Sequence, residues 1–140
     1  MVYDEDSKRL DSLVDEILYG SAGYLYCLLT LRSRLGIRYH QKIDKVIETV
    51  IHSLMVEGVQ KDKDYLQWTF PRKRGKPYLG AAHGSIGIIY MMIKAFQVIP
   101  ELQRDSDFVA LVQNTVQVIY ARQSGYGSFP FTLEQEVDEE

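Results

Sequence analysis

The chain is poor in the residues that staple or metallate a fold: one cysteine, three histidines and one tryptophan among 140 residues. Cys27 alone closes no internal disulfide, which excludes a disulfide scaffold and makes a reducing compartment, the cytoplasm, the default setting. His40, His52 and His83 stand 12 and 31 residues apart, and Cys27 sits in an apolar stretch, so spacing assembles no metal site. No apolar run approaches the roughly 18 residues of a membrane span. The opening Met-Val-Tyr-Asp-Glu-Asp lacks the basic and apolar regions of a secretory signal. There is no excess of base either: the net charge of −3 argues against a dedicated nucleic-acid binder. No local Ser/His/Asp or Cys/His arrangement is present, and no Gly-Lys-Ser/Thr follows a glycine turn.

What is present is an ordinary folded composition, 46 % apolar and 25 % charged, patterned for helices throughout. Leu10, Leu13, Val14, Ile17 and Leu18 predict an amphipathic helix over 7–18. After Gly20-Ser21-Ala22-Gly23, the stretch from Tyr24 to Leu35 is apolar nearly all round, which predicts a helix buried on every side, with Cys27 as a small core residue. Residues 41–57 carry a stripe of Ile43, Val46, Ile47, Val50, Ile51 and Leu54. A polar, basic loop runs from Gly58 to about residue 80. Gly84-Ser85-Ile86-Gly87 opens a second all-apolar helix that Pro100 stops, and 105–121 is a further amphipathic helix.

The two glycine turns form an internal repeat. Gly20-Ser21-Ala22-Gly23-Tyr24-Leu25-Tyr26 aligns with Gly84-Ser85-Ile86-Gly87-Ile88-Ile89-Tyr90 at a separation of 64 residues. Each unit (near 20–83 and 84–140) is a turn, a buried helix, a connection and a half-exposed helix. That alternation predicts an all-α fold in which inner helices are wrapped by outer ones, as in a helical ring. A third turn is expected near position 148, and about three units are the usual minimum for a stable stack. The sequence therefore reads as part of a longer protein, an incomplete ring that in isolation exposes apolar inner helices and tends to aggregate.

The glycines have two readings. They permit close packing where inner helices begin, or the free N–H groups there form an anion site. His83, in Ala81-Ala82-His83-Gly84, precedes the positive end of a helix, which favours a neutral imidazole able to accept a proton. The alternative is a buried histidine bonded to a backbone carbonyl. Glu16 either approaches the same face as His83 or is a surface carboxylate beside Asp15. Arg72, Lys73 and Arg74 form a basic loop between Pro71 and Pro77, either solvated or binding an anionic substrate, acidic peptide or membrane surface. Tyr65, Trp68, Phe70 and Tyr78 around it line a pocket mouth or pack the loop down.

Two segments, Asp15 to Tyr26 and Tyr78-Leu79-Gly80-Ala81-Ala82-His83-Gly84-Ser85-Ile86-Gly87-Ile88-Ile89-Tyr90, resemble the lanthionine synthetase C-like family in its eukaryotic branch. Ser124-Gly125-Tyr126-Gly127-Ser128-Phe129-Pro130 is a weaker match to a family turn. The resemblance implies an α/α toroid of repeated helical hairpins with glycine turns at the inner helix ends. It implies zinc-assisted addition of a thiol, glutathione in eukaryotic members, to dehydrated Ser or Thr residues of a peptide or protein. His83 would supply acid–base chemistry and Glu16 would orient it. The family's zinc ligands lie in Trp-Cys-His-Gly and Cys-His-Gly segments that this sequence lacks; both would fall beyond Glu140, so the chain alone is expected to hold no zinc and to be inactive. The second expectation is a non-catalytic adaptor that binds glutathione, a kinase or another protein, or the inner membrane surface through the basic loop.

Overall fold

A computed structural model describes residues 14–72 and 75–135. Among them the protein is all-α, with four helices and no strand. We number them α1 (Ser21–Arg34), α2 (His40–Gly58), α3 (Ser85–Val98) and α4 (Ser106–Tyr120). Short 3-10 turns, Ile37–Tyr39 and Pro100–Arg104, join α1 to α2 and α3 to α4. Helix α1 packs on α2 and on α3, and α3 packs on α4. Two hairpins therefore lie side by side with α1 and α3 as neighbours.

The apolar periodicity sets the burial. Ile47, Val50, Ile51 and Leu54 of α2 face the core, while Val46, at the edge of the expected stripe, is exposed. Arg32 at the end of α1 binds Asp44 of α2 through Nε at 2.5 Å and Nη2 at 3.1 Å, closing the first hairpin. The hydrogen bond to the Asp44 carboxylate raises the Arg32 pKa above its ordinary value, against the opposing effect of burial. Asp105 caps α4, its Oδ1 accepting the N–H groups of Asp107 and Phe108, both at 3.1 Å. Phe96 and Phe108 meet edge to face across the second hairpin.

The long connection from Gly58 to Gly84 is pinned rather than loose. The indole of Trp68 lies on Gly58, where a Cβ would come within 2.6 Å of the ring. Its Nε1 donates to the Leu54 carbonyl at 2.8 Å. Leu66 N–H donates to the buried Thr115 Oγ1 of α4 at 2.8 Å. Farther on, Leu79 N–H donates to the Phe131 carbonyl, so the segment after α4 runs alongside 77–79.

Two sequence expectations need correction. Residues 14–20 are turns, not the end of a helix over 7–18 (residues 7–13 lie outside those described). The carbonyls of Val14, Asp15 and Glu16 accept from Ser21, Ala22 and Gly23, seven residues on, instead of the four-residue spacing a helix needs. Second, α1 is not buried all round. Tyr24, Tyr26, Cys27 and Leu31 are exposed, because α1 rests on α2 and α3 and its remaining side faces solvent. Cys27 is thus not a core residue.

Candidate functional site

The site is built by the two glycine turns, whose backbones are the same construction used twice. Gly20 and Gly84 precede their helices in extended conformations, φ −125° and −126°. In the first turn Ser21 N–H reaches the Val14 carbonyl at 2.9 Å; in the second, Ser85 N–H reaches Tyr78 at 3.0 Å. Ala22 to Asp15 and Ile86 to Leu79, both 3.1 Å, repeat the match. These bonds occupy the N–H groups of Ser21, Ala22, Ser85 and Ile86, the first donors at the start of each helix. A Cβ on Gly23 would lie 2.0 Å from the Ile17 carbonyl oxygen, and on Gly87 2.0 Å from that of Ala81. On Gly20 and Gly84 it would meet Val14 and Tyr78 oxygens at 2.0 and 2.4 Å.

The turns also touch each other. Ile17 N–H donates to the Ala82 carbonyl at 3.3 Å, and the Ile17 side chain lies against the Cα of Gly87. This junction brings Glu16 and His83 together across 67 residues of chain: His83 Nδ1 is 3.0 Å from Glu16 Oε2. The Glu16 side chain is 2 % exposed and that of His83 40 %. Glu16 is therefore a buried group, not a surface carboxylate, and His83 is a half-open ring held by a carboxylate rather than by a backbone carbonyl.

Local backbone fixes the carboxylate. Glu16 Oε2 accepts Leu18 N–H at 3.0 Å, and Oε1 accepts Tyr19 N–H at 2.5 Å. With the carboxylate acting as acceptor, Nδ1 of His83 carries the shared proton, leaving Nε2 as the ring's available nitrogen. Phe70 stacks on the imidazole, with ring centroids 4.6 Å apart and planes 15° from parallel. Tyr19 lies near-parallel to it at 6.3 Å.

Beside this pair lies an ion pair that sequence reasoning missed. Arg72 Nη2 is 2.7 Å from Oδ1 of the buried Asp15, and its Nε is 3.3 Å from Oδ2 and 3.5 Å from Glu57 Oε2. Arg72 thereby ties the basic loop to the residue before Glu16. Lys73 and Arg74 lie outside the described residues. The loop aromatics divide between the two roles expected of them: Trp68 packs the loop down and Phe70 reaches the site. Tyr19 and Phe70 carried a weak signal, as aromatics next to the glycine turn and the basic loop. The Asp15–Arg72 pairing, across 57 residues, carried none.

Among the described residues no group of three or more His, Cys, Asp or Glu side chains could hold a metal ion. No helix among them is long and apolar enough to cross a membrane. The family model described as lanthionine synthetase C-like protein matches residues 2–139.

Proposed function

The chain belongs to the lanthionine synthetase C-like family, and from that premise we propose that it carries the proton-handling part of a site that adds a thiol, glutathione, to dehydrated Ser or Thr residues. The observation that supports this reading is the His83 Nδ1 contact with the buried Glu16 carboxylate at 3.0 Å. A carboxylate held by two backbone N–H groups orients the ring through Nδ1, and Nε2 does the proton transfer.

In the proposed step, Nε2 takes the proton of the thiol. The sulfur bonds to the β-carbon of the dehydrated residue, and the double-bond electrons move toward the adjacent carbonyl as an enolate. Nε2–H then protonates the α-carbon. An S–H and a C=C become a C–S and a C–H, with the imidazole returned to its starting state. The resemblance implies zinc for thiol activation, but the described residues do not offer its ligands, so the proposal gives this chain no metal step. Arg72 is placed as a positioning residue for the Asp15–Glu16 segment, while any substrate contact by the basic loop is left to Lys73 and Arg74. A reducing cytoplasmic setting, consistent with one cysteine, belongs to the same reading.

The test is to incubate the chain with glutathione and a dehydroalanine peptide, following thioether formation by mass spectrometry and bound zinc after dialysis. A background rate and no retained zinc are expected; rapid turnover or one zinc per chain overturns the division of labour. His83 is tested by the nitrogen-15 shifts of its ring. The Nδ1–H tautomer is expected, with signals that move on adding the peptide. An Nε2–H tautomer, or a ring that ignores the peptide, overturns its role.

A further inference from the structure

Helix α2 carries apolar residues beyond its core stripe. Ile47, Val50, Ile51 and Leu54 are buried, yet the neighbouring face of the helix holds Met55, Val56 and Val59 as well. Together with Glu48 and His52 these fall in two rows, 48-52-56 and 51-55-59, at the four-residue spacing that places side chains on one side of a helix. Val56 is 60 % exposed and Val59 51 %, so core burial does not account for them.

The two rows form one wall of a pocket of about 380 Å³; the other wall is Leu102 of the second 3-10 turn with Asp105 and Phe108 at the start of α4. Ile51 and Phe108 are its buried part, Met55 and Leu102 are half-buried, and the polar groups are exposed. Both walls come from the two hairpins described, so the pocket is formed within this pair and needs no further hairpin to complete it. Its volume falls in the range of small-molecule sites. The polar lining has one sign: Glu48 and Asp105 stand on the two walls, His52 adds an imidazole, and neither Lys nor Arg lines it. Among the described residues no side-chain hydrogen bond or ion pair engages Glu48 or His52. Asp105 commits only Oδ1 to the cap of α4.

We propose that this pocket binds a small amphiphilic amine, its aromatic or branched aliphatic body against Ile51, Met55, Leu102 and Phe108 and its ammonium group at Glu48 and Asp105. The carboxylates accept from the ammonium N–H groups, and a neutral imidazole at His52 offers one further acceptor. The complementarity of charge selects the occupant. An anion of the same shape meets two carboxylates, and a neutral molecule gains only the apolar contact. The pocket lies apart from the Glu16–His83 pair and does not depend on its chemistry.

The experiment titrates 4-phenylbutylamine into the whole chain carrying carbon-13 methyl labels, with 4-phenylbutanol and 4-phenylbutyrate as the neutral and anionic counterparts. The amine is expected to shift the methyl signals of Ile51, Met55 and Leu102 and to saturate below millimolar concentration. The alcohol should bind about tenfold more weakly, and the butyrate more weakly still. The double variant Glu48→Gln with Asp105→Asn should bring the amine down to the affinity of the alcohol. Both positions are exposed, asparagine caps a helix as well as aspartate does, and circular dichroism checks that the helix content is kept. Equal binding of amine and alcohol overturns the proposal. So does a double variant that binds the amine like the wild type, or a titration that reaches no saturation at millimolar concentration. An amine that moves the His83 ring signals instead of these methyls overturns it too, since it then occupies the other site.

Discussion

The two glycine turns share a backbone and differ in what they bury. Position for position, Asp15 corresponds to Leu79, Glu16 to Gly80 and Tyr19 to His83. Leu79 is fully buried and needs no partner. Asp15 occupies the equivalent slot as a charge and is matched by Arg72, drawn in from a distant loop. The first turn carries the two carboxylates, Asp15 and Glu16, and the second carries the imidazole that Glu16 contacts. A duplicated scaffold can thus be specialised in its side chains while the Ser21–Val14 and Ala22–Asp15 bonds recur as Ser85–Tyr78 and Ile86–Leu79, because these caps use backbone carbonyls.

The comparison is most sharply tested at the glycines. Gly87→Ala places a methyl against the Ala81 carbonyl and the Ile17 side chain. We expect a loss of about 4 kcal/mol by urea denaturation, in the range diagnostic of backbone overpacking. Gly80→Ala meets nothing within 4 Å and should stay within about 0.5 kcal/mol. Equal costs at the two positions would refute the shared construction.

Next in size is the buried charge. Arg72→Ala leaves the Asp15 carboxylate buried without its cation and should cost about 3 kcal/mol. The double variant Asp15→Leu with Arg72→Met, which gives the first turn the residue found in the second, should recover most of it. A double variant no better than the single one would show that the slots are not equivalent.

Glu16→Gln is expected to cost about 1–2 kcal/mol, since it replaces a charge-assisted contact by a neutral one. The more telling readout is the His83 ring, whose Nδ1–H preference should weaken in the nitrogen-15 spectrum. An unchanged tautomer would mean that Glu16 does not orient the ring. The smallest effect is expected at Ser85, whose buried hydroxyl has no hydrogen-bond partner among the described residues. Ser85→Ala should be neutral or stabilising by up to about 1 kcal/mol, because it removes an unsatisfied polar group. A clear loss of stability there would reveal a partner for Oγ.

The all-α class, α2, α3 and α4 were legible in the sequence because their apolar periodicity and stop signals agree. The glycine repeat was legible as well, since two copies of one turn stand in register. The segment before α1 was misread: Val14, Ile17 and Leu18 fit a helical period, and nothing local shows that three carbonyls of this segment are used to cap the next helix. The exposed side of α1 was equally invisible, because an apolar composition says what a face prefers and not what covers it. Glu16 and His83 were each identifiable by type and by place beside a turn. Their contact depends on two turns meeting, and the Asp15–Arg72 pair on a loop folding back; both are tertiary facts with no local signature.

The seating of Trp68 has a practical consequence. It is the only tryptophan in the chain, its indole is buried on Gly58 and bonded to Leu54, and the segment that holds it leads directly to Phe70 and Arg72. Its fluorescence is therefore a private optical gauge of whether that segment is docked. Emission that shifts to the red while the helical signal persists would mark a state in which the helices stand and the wall beside His83 has come away.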